Sequence, residues 1–142
     1  MPFTRIIARR VIPVLVMGAA MGALTMSPAS AIDWDHGPWY SADASPRGAK
    51  AYIEENGDWI KICDIDSDGY MAYAIAFKRT DGNKYSQVYD SKNNGDCSYT
   101  NVNTGGGMME NRWYDVLVCI TKDIYSDCKA GSKKWYEFYN DH

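Results

Sequence analysis

From Lys50 onward, apolar and polar residues alternate with a period of two, in short runs separated by turn residues. KAYIEE (50–55) and DWIKIC (58–63) flank Asn56-Gly57, a pair that tolerates positive φ and signals a two-residue hairpin turn. YMAYAIAFK (70–78) sets Tyr70, Ala72, Ala74 and Ala76 against Met71, Tyr73, Ile75 and Phe77, and the bulkier row is expected to face the core. Asp81-Gly82 turns the chain into KYSQVYD (84–90), and SKNNGD turns it again into CSYTNV (97–102). RWYDVLVCI (112–120) is the longest apolar run, rich in β-branched and aromatic residues, and reads as a central strand; KKWYEFY (133–139) closes the series. No long stretch combines a 3.6-residue period with caps. Turn signals at intervals of about ten residues predict an all-β fold, a small antiparallel β-sandwich or barrel.

The residues before Lys50 follow other rules. Arg5, Arg9 and Arg10 precede the apolar run VIPVLVMGAAMGALTM, and SPASA ends it in small residues. Basic, apolar, then small is the order of a secretory signal peptide, here residues 1–31. Residues 32–49 show no sustained period, and Gly37-Pro38 and Ser45-Pro46 mark turns or extended chain, so this stretch reads as an extended N-terminal segment ahead of a β-sandwich domain at 50–142. It nevertheless carries Trp34, Trp39 and Tyr40, which a plain linker would lack. Those rings either pack back on the domain or dock into another macromolecule.

Removing the leader changes the charge. The whole chain has 15 Lys and Arg against 18 Asp and Glu; without the three leader arginines, 12 face 18, a formal charge of −6. An acidic surface argues against nucleic acid or a membrane as partner. All four cysteines, Cys63, Cys97, Cys119 and Cys128, lie in the mature part, and an even count in a secreted chain reads as two disulfides. Of the three possible connectivities we prefer Cys63–Cys97 with Cys119–Cys128, because the latter pair closes the short loop CITKDIYSDC between two extended segments. Zinc is disfavoured, since no C-x-x-C spacing occurs and only His36 and His142 are present. No cofactor is expected.

Asp64-Ile65-Asp66-Ser67-Asp68-Gly69 matches the first half of a calcium loop, with Asp64, Asp66 and Asp68 at ligand positions. Position 12, normally a bidentate Glu, is Ile75, and the flanks read as strands rather than helices. Asp, Ser and Gly also serve a strand connection through Asx turns and positive φ. The turn is the stronger reading, and a weak calcium site the alternative. Catalytic triads have little to draw on with two histidines near the chain ends, and scattered acidic pairs are what an acidic surface always offers. We therefore expect no enzymatic activity. Aromatics are the informative residues: five Trp, eleven Tyr and two Phe remain after the leader. Arg112-Trp113-Tyr114 and KKWYEFY are candidate contact patches, because Arg, Trp and Tyr dominate binding hot spots.

The run Gly57-Asp58-Trp59-Ile60-Lys61-Ile62-Cys63-Asp64-Ile65-Asp66-Ser67-Asp68-Gly69 carries a G-D-x-x-x-[IV]-C-D-x-x-x-D-G pattern. It resembles small secreted two-disulfide β-sandwich proteins of actinobacteria, and the layout looks most like the small adaptor subunit of umbrella toxin particles. That resemblance implies a role joining a lectin-bearing subunit to a large toxin subunit, with Trp34, Trp39 and Tyr40 of the N-terminal segment as docking residues. The chain is also similar to secreted bacterial amylase inhibitors, which use a Trp-Arg-Tyr triplet on a turn. Here the order is Arg112-Trp113-Tyr114, within a predicted strand. The expected function is that of a secreted, non-enzymatic protein-binding module, and the alternative is an inhibitor of a secreted hydrolase.

Overall fold

A computed structural model describes residues 32–92, 94–101 and 107–141. The signal-peptide reading of residues 1–31 lies outside the described residues. Eight strands form two four-stranded antiparallel sheets. The first takes the order β1 (His36–Tyr40), β2 (Ala49–Glu54), β3 (Trp59–Asp64), β6 (Ser98–Asn101). The second takes the order β5 (Lys84–Asp90), β4 (Met71–Lys78), β7 (Arg112–Thr121), β8 (Lys134–Asn140). The predicted sandwich is the observed fold.

Alternation sets the interior. Ala49, Ala51 and Ile53 of β2 and Ile60 and Ile62 of β3 meet Val116, Val118 and Ile120 of β7, all buried. At roughly 25 cal/mol per Å² of apolar surface, each such Ile or Val contributes about 1.5–3 kcal/mol. In β4 the inward row is Ala72, Ala74 and Ala76, not the expected Met71, Tyr73, Ile75 and Phe77. Both rows are apolar, so alternation defines two faces without ranking them. The small row faces in because Ile53, Ile60, Ile62 and Tyr114 already fill the space between the sheets.

The hairpin expected at Asn56-Gly57 is present with a longer loop. Glu54 pairs with Trp59, so four residues connect the strands, and the left-handed conformation falls on Asp58 (φ 56°). Gly57 is required for close approach: a Cβ there would lie 2.7 Å from both the Glu54 carboxylate and the Trp59 ring.

The largest departure concerns residues 32–49. They contain β1, which pairs with β2 through His36↔Ile53, Trp39↔Ala51 and Tyr40↔Lys50, with a register shift between His36 and Trp39. Trp39 stacks on Tyr136 at 5.1 Å and 6°, and the Tyr136 hydroxyl accepts from Tyr40 N (2.9 Å) and donates to Tyr40 O (2.7 Å). His36 Nε2 meets the buried Glu55 carboxylate. Gly and Pro interrupt the alternation in HGPWY, which hid the strand; the anchoring groups come from residues up to about a hundred positions away in sequence.

Candidate functional site

The two disulfides are Cys63–Cys97 and Cys119–Cys128, the preferred pairing. Each joins groups within one sheet. Cys63 pairs opposite Lys50 on the outward side of β3, and Cys119 lies opposite the outward Tyr73. Two such bonds place the folded chain in an oxidising environment.

The acidic segment after β3 is a turn held by its own carboxylates. Asp68 Oδ1 accepts from Tyr70 N at 2.9 Å and Asp64 Oδ1 accepts from Asp66 N at 3.4 Å. Lysines already compensate it: Lys129 Nζ lies 3.8 Å from Asp68, and Lys122 Nζ donates to Gly69 O. Burial, then the negative charges of Asp90, Asp68 and Asp66, push the Asp64 carboxyl up from the ordinary Asp value, while its bond from Asp66 N opposes them. Among the described residues, no three His, Cys, Asp or Glu side chains gather as metal ligands would.

The six contact residues singled out from the sequence do not form one patch. Trp34 lies on the outer face of the first sheet, 6.0 Å from Tyr52. Tyr40 shares that face through its pairing with Lys50, whereas Trp39 packs between the sheets. Arg112 and Trp113 are exposed at the start of β7. Tyr114 is fully buried, its hydroxyl accepting from Met109 N at 2.7 Å, and offers no contact surface. The reason is parity: in a strand, neighbours point to opposite faces, so a three-residue motif cannot present three side chains together.

Alternation gathers other rings instead. On the outer face of the first sheet, Tyr52 pairs with Lys61 and Lys61 with Tyr99, while Glu54 pairs with Trp59. Trp59 and Tyr99 meet edge to face at 5.6 Å. Tyr99 is 61% exposed, and with Ile32, Trp34, Lys61 and Asp96 it lines a shallow cleft. On the outer face of the second sheet, Tyr73 stacks on Tyr89 at 4.3 Å, Phe77 meets Trp135 at 5.5 Å, and Trp113 meets Tyr139 at 5.3 Å. Trp113 and Trp135 are 44% and 54% exposed. Arg79 lies over the Trp113 ring and pairs with both Asp115 and Glu137. Beside this face the loop closed by Cys119–Cys128 holds Tyr125 93% exposed. Asp123 fixes that loop by accepting from Tyr125 N and Ser126 Oγ. The signal for these rings was in the sequence, in the parity of β2, β4 and β8, once the inward row of each is known.

No family model, curated protein or solved structure matches this chain.

Proposed function

We propose that this chain is a secreted, non-enzymatic protein-binding module that acts as an adaptor between two larger proteins. One observation carries the reading: both outer faces of the sandwich, on opposite sides of the molecule, bear clusters of part-buried and exposed rings. Antiparallel sheets in a sandwich ordinarily turn polar residues to water. Here the outward positions hold Trp34, Tyr52, Trp59 and Tyr99 on one side, and Phe77, Trp113, Trp135 and Tyr139 on the other. Rigid rings of this kind supply interface hot spots at low entropic cost. A bridging protein needs two such surfaces. The layout of the mature chain, which resembles the small adaptor subunit of umbrella toxin particles, supports the same role, with a lectin-bearing subunit and a large toxin subunit as the partners. An extracellular setting agrees with the two disulfides and the leader-like N-terminus.

An inhibitor of a secreted amylase or protease would engage its target through one surface. The triplet that prompted that alternative keeps only Arg112 and Trp113 on the exterior.

The test is capture of partners from culture supernatant by wild type, Trp34→Ala and the Trp113→Ala/Trp135→Ala double variant. Two captured proteins are expected with wild type, each lost with a different variant. Hot-spot truncations cost about 2 kcal/mol or more, a loss of roughly thirtyfold in affinity. A single captured hydrolase, lost with only one variant, would establish the inhibitor reading instead. Capture of two proteins unaffected by any variant would remove the ring faces from the argument.

A further inference from the structure

The outer face of the first sheet carries cations as well as rings, and their arrangement names the chemistry of what docks there. Arg47 lies 5.2 Å from the Tyr40 ring centre, Lys50 lies 5.7 Å from that of Tyr52, and Lys61 lies 5.1 Å from those of both Trp34 and Tyr52. Pairing of Tyr40 with Lys50 and of Tyr52 with Lys61 puts Lys50 and Lys61 on one side of the sheet. None of the three cations has a carboxylate partner among the described residues. Elsewhere Lys78, Arg79 and Lys129 each meet an acid, whereas Lys84, Arg112 and Lys122 bond to amide or carbonyl oxygens; what distinguishes Arg47, Lys50 and Lys61 is that they share one face with its rings. The chain is acidic in total, with 18 acidic against 15 basic residues, so acids are plentiful. The acids on this face, Glu54 and Asp96, accept from Gly57 N and Asn94 Nδ2 instead, so the three cations over rings remain without an ion pair there and leave a locally positive field within a negative molecule.

Cations over rings are held in place by the ring quadrupole, with their aliphatic stems laid along apolar surface. They are pre-oriented to receive an anion and lose little freedom when one arrives. The spacing of ring and charge fits a ligand that likewise alternates apolar groups and single carboxylates.

We propose that this face binds an acidic, aromatic-containing extended segment of a partner protein, its carboxylates on Arg47, Lys50 and Lys61 and its apolar side chains against Trp34, Tyr52 and Tyr99. The inference rests on the protein-binding reading above and assigns one of the two faces its ligand. A uniform polyanion, such as a sulfated glycan, fits less well. Its charges are dense, the cations here are separated by rings, and the rest of the chain repels it.

The experiment uses the mature protein and short synthetic peptides in which Asp and Glu alternate with Phe and Tyr, with Asn/Gln counterparts as controls, followed by tryptophan fluorescence and calorimetry. Saturable binding is expected for the acidic set, with at least tenfold weaker binding of the amide set. Binding should weaken as salt rises toward 1 M, where the screening length falls to about 3 Å. Lys61→Glu with Lys50→Glu should abolish it. Lys61→Met, which keeps the stem on the rings and removes the charge, should lower affinity several-fold with an unchanged melting temperature. Equal binding of acidic and amide peptides, or full binding by the charge-reversed variant, would overturn the proposal. So would a preference for a sulfated glycan over every acidic peptide. Should those failures occur while Trp34→Ala still loses a partner in the supernatant, the adaptor reading stands and only the acidic ligand is wrong.

Discussion

At the scale of single residues, two carboxylates show how position sets the sign of an electrostatic contribution. Asp123 receives a bond from the Ser126 hydroxyl and another from Tyr125 N, which hold its carboxyl below the ordinary Asp value. Its help to the loop is complete above the unfolded value and is lost as pH falls through the lowered one. Asp64 behaves oppositely. Burial raises its carboxyl, so folding favours the protonated form, and the ionised group costs stability at neutral pH. Asp64→Asn should therefore raise the melting temperature at pH 7 by a few degrees, and the gain should shrink as pH falls through the raised value; a thermal series across pH checks both. An unchanged or lowered melting temperature at neutral pH would show that the Asp64 charge is compensated. Tyr136 makes a different point. Tyr136→Phe keeps the ring on Trp39 and deletes both bonds to the Tyr40 backbone, so a loss of about 1–3 kcal/mol is expected in denaturant titration.

At the scale of elements, legibility followed the strength of the alternation. β2, β3, β5 and β7 were read close to their observed bounds because each has a run bounded by turn residues. β1 was missed, since Gly37 and Pro38 break its pattern and its anchors, Glu55, Tyr136 and Phe138, lie elsewhere in the chain. The faces of β4 were exchanged because Ala and Tyr/Ile/Phe rows are both apolar, and only the volume left by the opposite sheet chooses between them. The disulfides differ as elements too. Cys63–Cys97 spans 34 residues and Cys119–Cys128 spans 9. Loop-closure entropy then assigns the longer one about 4 kcal/mol and the shorter about 3 kcal/mol. Replacing Cys63 and Cys97 by Ser or Ala should lower stability by about 1 kcal/mol more than the same change at Cys119 and Cys128, measured by urea unfolding. The reverse order would mean that local loop order outweighs chain entropy.

At the scale of the whole molecule, class and covalent framework were legible, and the grouping of the exposed rings was not. Counting rings in the sequence correctly pointed to a surplus beyond the core, but grouping them by adjacency, as in Arg112-Trp113-Tyr114, joined exposed and buried side chains. Surfaces of a sandwich are assembled across strands, from residues such as Tyr52, Lys61 and Tyr99 that lie far apart in the chain. The same holds for charge. A total of 18 acids against 15 bases conceals a face on which the cations lack acid partners.

Neither sulfur bridge crosses the interior; each stays within its own layer. The layers are therefore joined by side-chain contact and by the backbone passing between them. A load applied to the two broad sides would therefore fall on packing contacts and backbone crossings rather than on either sulfur bridge, and the layers would part along that seam before a bridge came under tension.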